Sequence, residues 1–528
     1  MRFIGRFYFN ILIIYFSFCH FLCCASSVFG QSLPWYQRTT LYQIYPRSYY
    51  DSDGDGIGDI QGILQKLDYI RNLGFETLWL SPFFASPQQD FGYDITDYYT
   101  VAPEYGTMQD IEELIRQVHR RGMKIILDLV LNHTSIEHPW FQEDLKRSPQ
   151  ERGPLQDFYV WRDQPNNWRS AVRGSAWHYH PVRKQFYYAA FLPFQPDLNY
   201  RNPRVREAML QVAQFWLEKG VDGFRLDLFN YLYEDSLGRP NPFSLNPVRA
   251  FHRPRFTLNQ PETLEFAAEL RHLCERYGPK MLLGEIDGPC TTSRLFLGDS
   301  ITPRLTHAFC FGMLRFRCTA RYFERLVLHM EKIFPSPLSP VYVFSNHDRR
   351  RCATRLGGDL RRVRLVHTVQ MLARGVPCVY YGEEIGMVDG RLPYKKALDP
   401  LPHMVRVPRW LAHVAGETLN RDEVRTPMQW HAGPHAGFSC AAATWLPVNP
   451  DFPEKNVEAA MQDSASLLHH FRHLLCVRQP QKVQDVRREG PLLFLGNAVL
   501  NFSRRPRTFI HPATGARLRI EGYAVAWL

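Results

Sequence analysis

Gly223-Phe224-Arg225-Leu226-Asp227 is an apolar run broken by one cation and closed by one carboxylate. A continuously apolar run of this length reads as a parallel strand buried on both faces. An acid at the tip of such a strand has no packing role. Two further runs end in the same way, Leu282-Leu283-Gly284-Glu285 and Phe344-Ser345-Asn346-His347-Asp348. Carboxylates at the C-terminal tips of several parallel strands are how a β/α barrel assembles a site.

Working outward, apolar runs at 41–45, 77–82, 124–130, 223–228, 280–285, 308–311, 341–345 and 377–381 supply eight strands. Helical period separates them, with Ile111, Leu114, Ile115 and Val118 on one face and Val205, Met209, Val212 and Trp216 on another. Gly122 and Gly220 stand where C-terminal glycines close such helices. The fold class is therefore α/β, a (β/α)8 TIM barrel spanning 31–470. Residues 133–200, rich in Trp, Tyr, Pro and His, interrupt it after the third strand as an insertion domain over the barrel mouth. Residues 471–528 form a small C-terminal antiparallel β domain, with strands expected at 492–495, 498–502, 508–510 and 523–528.

The chain of 528 residues is 45% hydrophobic and 22% charged, ordinary for a globular protein. Its formal charge of +11 raises the question of nucleic acid. The arginine pairs are scattered and no nucleic-acid module is present, so no nucleic-acid partner is expected. Residues 1–30 read as a targeting segment, basic at Arg2 and Arg6 and apolar over 11–24. Cleaved, it makes the protein secreted or periplasmic; retained, it is a signal anchor and the one membrane contact. A mis-assigned start on a cytoplasmic enzyme is the alternative. Eight of the eleven cysteines lie beyond that segment, without CxxC or metal-ligand spacing. Their even number permits disulfides after export, but Cys310 and Cys378, in expected strands, read as small buried hydrophobes, and mostly free thiols are expected.

Two opposed carboxylates are the requirement of glycoside hydrolysis, one as nucleophile or base and one as proton donor. Arg225, two residues before Asp227, shares its side of the strand and would keep that acid ionised and correctly turned. His133, after Asp128-Leu129-Val130-Leu131-Asn132, stands where it can donate to sugar hydroxyls, and Asp128 fixes the geometry of the barrel end. No GxSxG elbow or HExxH pair occurs, which excludes serine-hydrolase and zinc-peptidase chemistry. Asp51, Asp53, Asp55 and Asp59, with the Ile57 carbonyl, form a loop whose alternating acids repel one another unless a cation sits among them. It opens like an EF-hand, with Gly56 sixth, but Gly62 stands where the bidentate Glu belongs. The expected cofactor is a structural Ca²⁺, with no organic cofactor.

Together these motifs resemble glycoside hydrolase family 13, the α-amylase family, and most of all its α-glucosidase and oligo-1,6-glucosidase branch. Gln195-Pro196-Asp197-Leu198-Asn199, Tyr381-Gly382-Glu383-Glu384-Ile385-Gly386 and Arg425-Thr426-Pro427-Met428-Gln429-Trp430 carry the resemblance further. It covers nearly the whole chain beyond Trp35. It implies a retaining mechanism in which Asp227 is nucleophile, Glu285 is acid and base, and Asp348 grips ring hydroxyls. It implies substrate contacts from Arg225, His133 and His347, an aromatic platform at Tyr93, and a pocket-closing ion pair of Asp90 with Arg425. The implied activity is exo-cleavage of terminal α-linked glucose from short α-glucoside oligosaccharides or disaccharides. The alternatives are a glucosyl transferase or a sucrose or maltose isomerase of the same fold, and a non-enzymatic relative is disfavoured by the three intact acids. Leu228, where the branch carries a smaller residue or Thr, leaves linkage preference open. The Arg run at 349–351 makes a basic rim that would suit an anionic leaving sugar.

Overall fold

Eight short strands pair in parallel: β1 (Leu41–Ile44), β2 (Thr77–Leu80), β3 (Lys124–Leu129), β4 (Gly223–Leu226), β5 (Met281–Gly284), β6 (His307–Ala308), β7 (Val341–Val343) and β8 (Val376–Tyr380). Their order in the sheet is β6-β5-β4-β3-β2-β1-β8-β7, so β8 returns to pair with β1 and the barrel is nearly closed. The computed structural model describes residues 33–147, 155–245, 252–404 and 418–528. The expected targeting segment at 1–30 lies outside them. No helix among the described residues is long and apolar enough to cross a membrane.

Six of the eight barrel strands lie within the apolar runs, trimmed at one or both ends, while β6 and β8 each begin one residue earlier than their runs and end short of them. The trimmed C-terminal residues include Asp227 and Glu285, which stand just past the ladders, and Asp348 follows β7 by five residues. Helix α1 (Met108–Arg120) starts from a capping box, Thr107 and Asp110 satisfying each other's backbone N–H groups, and buries Ile111, Leu114, Ile115 and Val118. Helix α2 (Pro203–Glu218) is capped by the Asn202 side chain with Pro203 in its first turn, and buries Val205, Met209, Val212 and Trp216. Each packs a 3.6-period apolar face on the barrel.

Between β3 and β4 a helix (Pro139–Lys146) and a three-stranded antiparallel sheet form the insertion, with Gln185–Tyr188 central between Trp161–Arg162 and Trp177–His180. Asp197 ties it down, accepting from Ala190 N–H at 2.7 Å and from Asn132 Nδ2 at 2.9 Å. At the C-terminus β9 (Val486–Glu489), β10 (Leu492–Leu495), β11 (Ala498–Asn501) and β14 (Val525–Trp527) form one antiparallel sheet, and β12 (Arg507–Ile510) with β13 (Arg517–Ile520) a hairpin. Strands β9 and β13 are additional to the sequence reading. Both are arginine-rich and largely solvent-facing, as edge strands often are, so their hydropathy does not announce them.

Gly223 opens β4 at φ 147°, and a Cβ there would lie 2.0 Å from the Met281 carbonyl oxygen of β5. Only glycine permits the close β4–β5 pairing that aligns Leu226 with Gly284 and brings the next residue of each strand together. Gly223→Ala is therefore expected to cost about 3 kcal/mol or more in urea unfolding. An unchanged midpoint would contradict this close approach.

Candidate active site

The register of the sheet assembles the acids. Asp128 on β3 lies opposite Arg225 on β4. Just past β4 the Asp227 N–H donates to Leu129 O at 3.2 Å, and the Glu285 N–H donates to Leu226 O at 2.9 Å. The chain then turns sharply at Leu228, a non-glycine residue in the left-handed region at φ 35°, strain of the kind that collects at functional sites. Phe229 N–H donates back to Glu285 O at 2.9 Å and locks the two tips together.

Arg225 is 1% exposed and holds three carboxylates. Its Nη1 donates to Asp128 Oδ1 at 2.7 Å and Asp227 Oδ1 at 2.6 Å, and its Nη2 donates to Glu285 Oε2. The guanidinium also lies 5.3 Å from the centre of the Trp79 ring. Burial pushes Glu285 up to about 8, with Asp227, Asp348 and Asp128 adding and Arg225 opposing. Burial likewise raises Asp128 to about 7, Arg225 opposing and Asp227 adding.

A continuous hydrogen-bonded chain leads to the third acid. Tyr93 Oη donates to Asp128 Oδ2 at 3.0 Å and meets His347 Nε2 at 2.6 Å. The Tyr93 and His347 rings are stacked 5.4 Å apart. His347 Nδ1 faces Gln43 Nε2 at 2.8 Å, and its Nε2 lies 3.3 Å from Asp348 Oδ2. Burial lowers His347 to about 3, so the ring is neutral. Asp348, a third exposed, accepts from Arg425 Nη2 at 2.8 Å. Partial burial opposes its ionisation, yet the guanidinium groups of Arg421, Arg425 and Arg225 hold it well below the usual carboxylate range.

The expected pair of Asp90 with Arg425 is corrected by the structure. Asp90 Oδ1 accepts from Arg421 Nη2 at 2.5 Å, and Asp90 Oδ2 from Gln195 Nε2 at 2.9 Å. Arg425 instead serves Asp348 and donates from Nε to His347 O at 3.0 Å. The two arginines lie at i and i+4 around one 3-10 turn (Arg421–Val424), and a motif centred on the second does not show which of them Asp90 meets. Arg421 is thus the residue the sequence reading missed, buttressed by Asp399 at 2.8 Å and 3.6 Å from Asp348 Oδ1. His133 stands close by, but its nitrogens already meet Tyr93 O at 3.1 Å and Asn132 Oδ1 at 3.0 Å. The basic run at 349–351 is not a free rim. Arg350 pairs with Asp389 at 3.0 Å, and buried Arg351 donates to Tyr381 O and Val424 O.

In the acidic loop, Asp51, Asp53 and Asp59 bring carboxylate oxygens within 4.8 Å of one another. Asp55 stands apart from that group and accepts from Ile57 N–H at 2.7 Å. The loop is clamped from outside, Asp51 Oδ2 accepting from Ser439 Oγ at 2.5 Å and Gly56 O from Trp445 N–H at 3.0 Å. Burial raises Asp59, and burial together with Asp53, Asp51 and Asp59 raises Asp55. Burial opposes the ionisation of Asp51 as well, but hydrogen bonds from Ser439 and from the Gly54 and Gly56 N–H groups outweigh it and lower that acid.

The sequence profile described as the alpha amylase catalytic domain matches residues 43–486. An oligo-1,6-glucosidase of Parageobacillus thermoglucosidasius is 34% identical over 534 residues, covering 90% of this chain and 92% of its own length. A salivary alpha-glucosidase of Anopheles gambiae is 39% identical over 474 residues, covering 84% and 78%. The crystal structure of an alpha-glucosyl transfer enzyme, XgtA, superposes with a TM-score of 0.82 at 34% identity, covering 94% of this chain and 99% of that one. With barrel, acids and matches in agreement, the chain belongs to the α-amylase family of glycoside hydrolases, in its α-glucosidase and oligo-1,6-glucosidase branch.

Proposed function

We propose that this glycoside hydrolase is a retaining, exo-acting α-glucosidase that removes terminal α-linked glucose from short oligosaccharides or disaccharides. The observation that carries the reading is one guanidinium, Arg225, shared by Asp227 and Glu285. That sharing favours the short separation of a retaining pair, roughly 5–5.5 Å, over the roughly 6.5–9.5 Å that admits a water between inverting acids. Asp227 attacks the anomeric carbon while Glu285 gives its proton to the leaving oxygen. A β-glucosyl ester on Asp227 results. Glu285, now a carboxylate, takes a proton from the incoming water, whose oxygen displaces Asp227 and restores the α configuration. Asp348, fixed by Arg425 and His347, grips ring hydroxyls as positive charge develops.

Asp227→Asn is expected to lower kcat for p-nitrophenyl α-glucoside by about four orders of magnitude or more, with folding intact by circular dichroism. Activity near that of the parent enzyme would remove Asp227 from the mechanism. Glu285 must be protonated to donate, and its raised pKa keeps the proton on below about 8. Hence kcat/KM for maltose should fall as pH rises through about 8. Glu285→Gln should lose that alkaline limb, and a limb retained in the variant would assign it to another group.

Exo-action rests on the wall formed by Asp90 and Arg421, reinforced by Gln195 and Asp399. An ion pair so placed leaves no room beyond the non-reducing glucose. Arg421→Ala is expected to raise KM for maltose about tenfold or more and to release internal fragments from a maltooligosaccharide. A product series still confined to single glucose units would oppose this assignment.

A transferase reading draws support from the likeness to XgtA, described as an alpha-glucosyl transfer enzyme. In that case a sugar hydroxyl replaces water in the second step. Free glucose dominating the products at high maltose concentration favours hydrolysis, and longer oligosaccharides favour transfer.

The acidic loop fits a structural Ca²⁺, with Asp51, Asp53 and Asp59 as carboxylate ligands. Bound there, the ion offsets their mutual repulsion and ties the residues after β1 to those around Ser439. Chelation with EDTA should lower the melting temperature and added Ca²⁺ restore it, the difference reaching about 2.7 kcal/mol at a hundredfold excess over Kd. Asp53→Asn should shrink that response, and a Ca²⁺-independent melting temperature in the parent would exclude the site.

A further inference from the structure

We propose that Cys352, His367 and Glu383 form a buried zinc site that braces the loop carrying Asp348. The three come from separate elements: Cys352 from the short helix Cys352–Arg355 after β7, His367 from helix α3 (Leu360–Leu372), and Glu383 from the turn after β8. All are buried, and one ligand atom from each lies within 4.8 Å of the other two.

The histidine gives the independent sign. Its Nδ1 faces Gln370 Oε1 at 2.7 Å, and the Gln370 amide is itself oriented by donating from Nε2 to Tyr342 O at 3.0 Å and Cys378 O at 2.8 Å. Nδ1 therefore carries the proton, and Nε2 is left with a bare lone pair. That Nε2 is fully buried without a hydrogen-bond partner and points at Glu383 Oε1, 3.8 Å away. A lone pair opposed to a carboxylate oxygen at 3.8 Å is repulsive. A cation between them removes the repulsion, and an Nδ1–H held by an amide oxygen is the usual second partner of a metal-bound imidazole.

The donors select the ion. Thiolate, imidazole and carboxylate suit Zn²⁺ rather than the hard cations of an all-oxygen site. Tetrahedral ligands at zinc bond lengths stand roughly 3.3–3.7 Å apart, so closing the present spacing takes about an ångström of side-chain movement. Ser345 Oγ, hydrogen-bonded to Glu383 Oε1 at 2.5 Å, or a water supplies the fourth position. Binding displaces the Cys352 thiol proton to solvent. Two charges on the ion, one on the thiolate and one on Glu383 then sum to zero, the condition for burying them together.

The consequence lies next to the active site. Ser345 immediately precedes Asn346-His347-Asp348, and its Oγ accepts from Cys352 N–H at 2.8 Å. A zinc ion on Cys352 and Glu383 thus pins both ends of the loop holding Asp348 to the end of β8. The role is positioning, with no contact to the sugar.

The test uses the full-length enzyme purified from zinc-supplemented culture. Elemental analysis should find about one zinc per chain, lost in Cys352→Ser and in His367→Ala. Cobalt(II) exchanged into the parent protein should give a thiolate-to-metal charge-transfer band in the near ultraviolet, which needs no variant and which Cys352→Ser abolishes. Gln370→Leu should keep the site but weaken zinc about 10–100-fold. A parent enzyme without the cobalt–thiolate band, or zinc retained at full stoichiometry in both ligand variants, would overturn the proposal.

Discussion

The site depends on one buried cation. Arg225 meets Asp128, Asp227 and Glu285 from the same guanidinium, each of them nearly solvent-free. Three carboxylates at such range in a low dielectric repel one another by several kcal/mol, and removing their common partner would leave buried charge uncompensated. The parallel register of β3, β4 and β5 sets the spacing, and Gly223 permits that register. The planar fork of arginine suits the role, because its nitrogens reach separate carboxylates in fixed directions where a lysine ammonium would offer a single point.

Around that hub the environment drives the acids apart in character. Glu285 has only a share of one guanidinium against burial and three neighbouring carboxylates, and it is pushed upward. Asp348 looks toward Arg421 and Arg425 and is pulled downward. Carboxyl groups on one barrel mouth thereby become a proton carrier and a fixed negative charge, the division of labour that glycosidic cleavage needs. The arginines that depress Asp348 also build the wall beside Asp90, so electrostatics and substrate-end selection draw on the same side chains.

The barrel was legible because strands buried on both faces must be apolar throughout, and the acids at their tips break that rule conspicuously. What escaped was whatever hydropathy or spacing does not encode. Strands β9 and β13 are arginine-rich edges. The choice between Arg421 and Arg425 as partner of Asp90 turns on which side of a 3-10 turn each side chain leaves. The acidic loop was legible as a loop, but not that Asp55 would stand apart from Asp51, Asp53 and Asp59. Cys352, His367 and Glu383 lie fifteen and sixteen residues apart, a spacing that matches no metal motif, and only the packing of α3 against the ends of β7 and β8 brings them together.

The central claim is that Asp227, presented by Arg225 beside Glu285, forms the covalent bond to glucose. A fluorinated glucosyl fluoride that forms the ester quickly and hydrolyses slowly would trap that state, and peptide mass mapping would locate it. One glucosyl-sized addition on the peptide bearing Asp227, absent from Asp227→Asn, is the result expected. A label on Glu285 or Asp348, or steady turnover without any labelled peptide, would contradict the account.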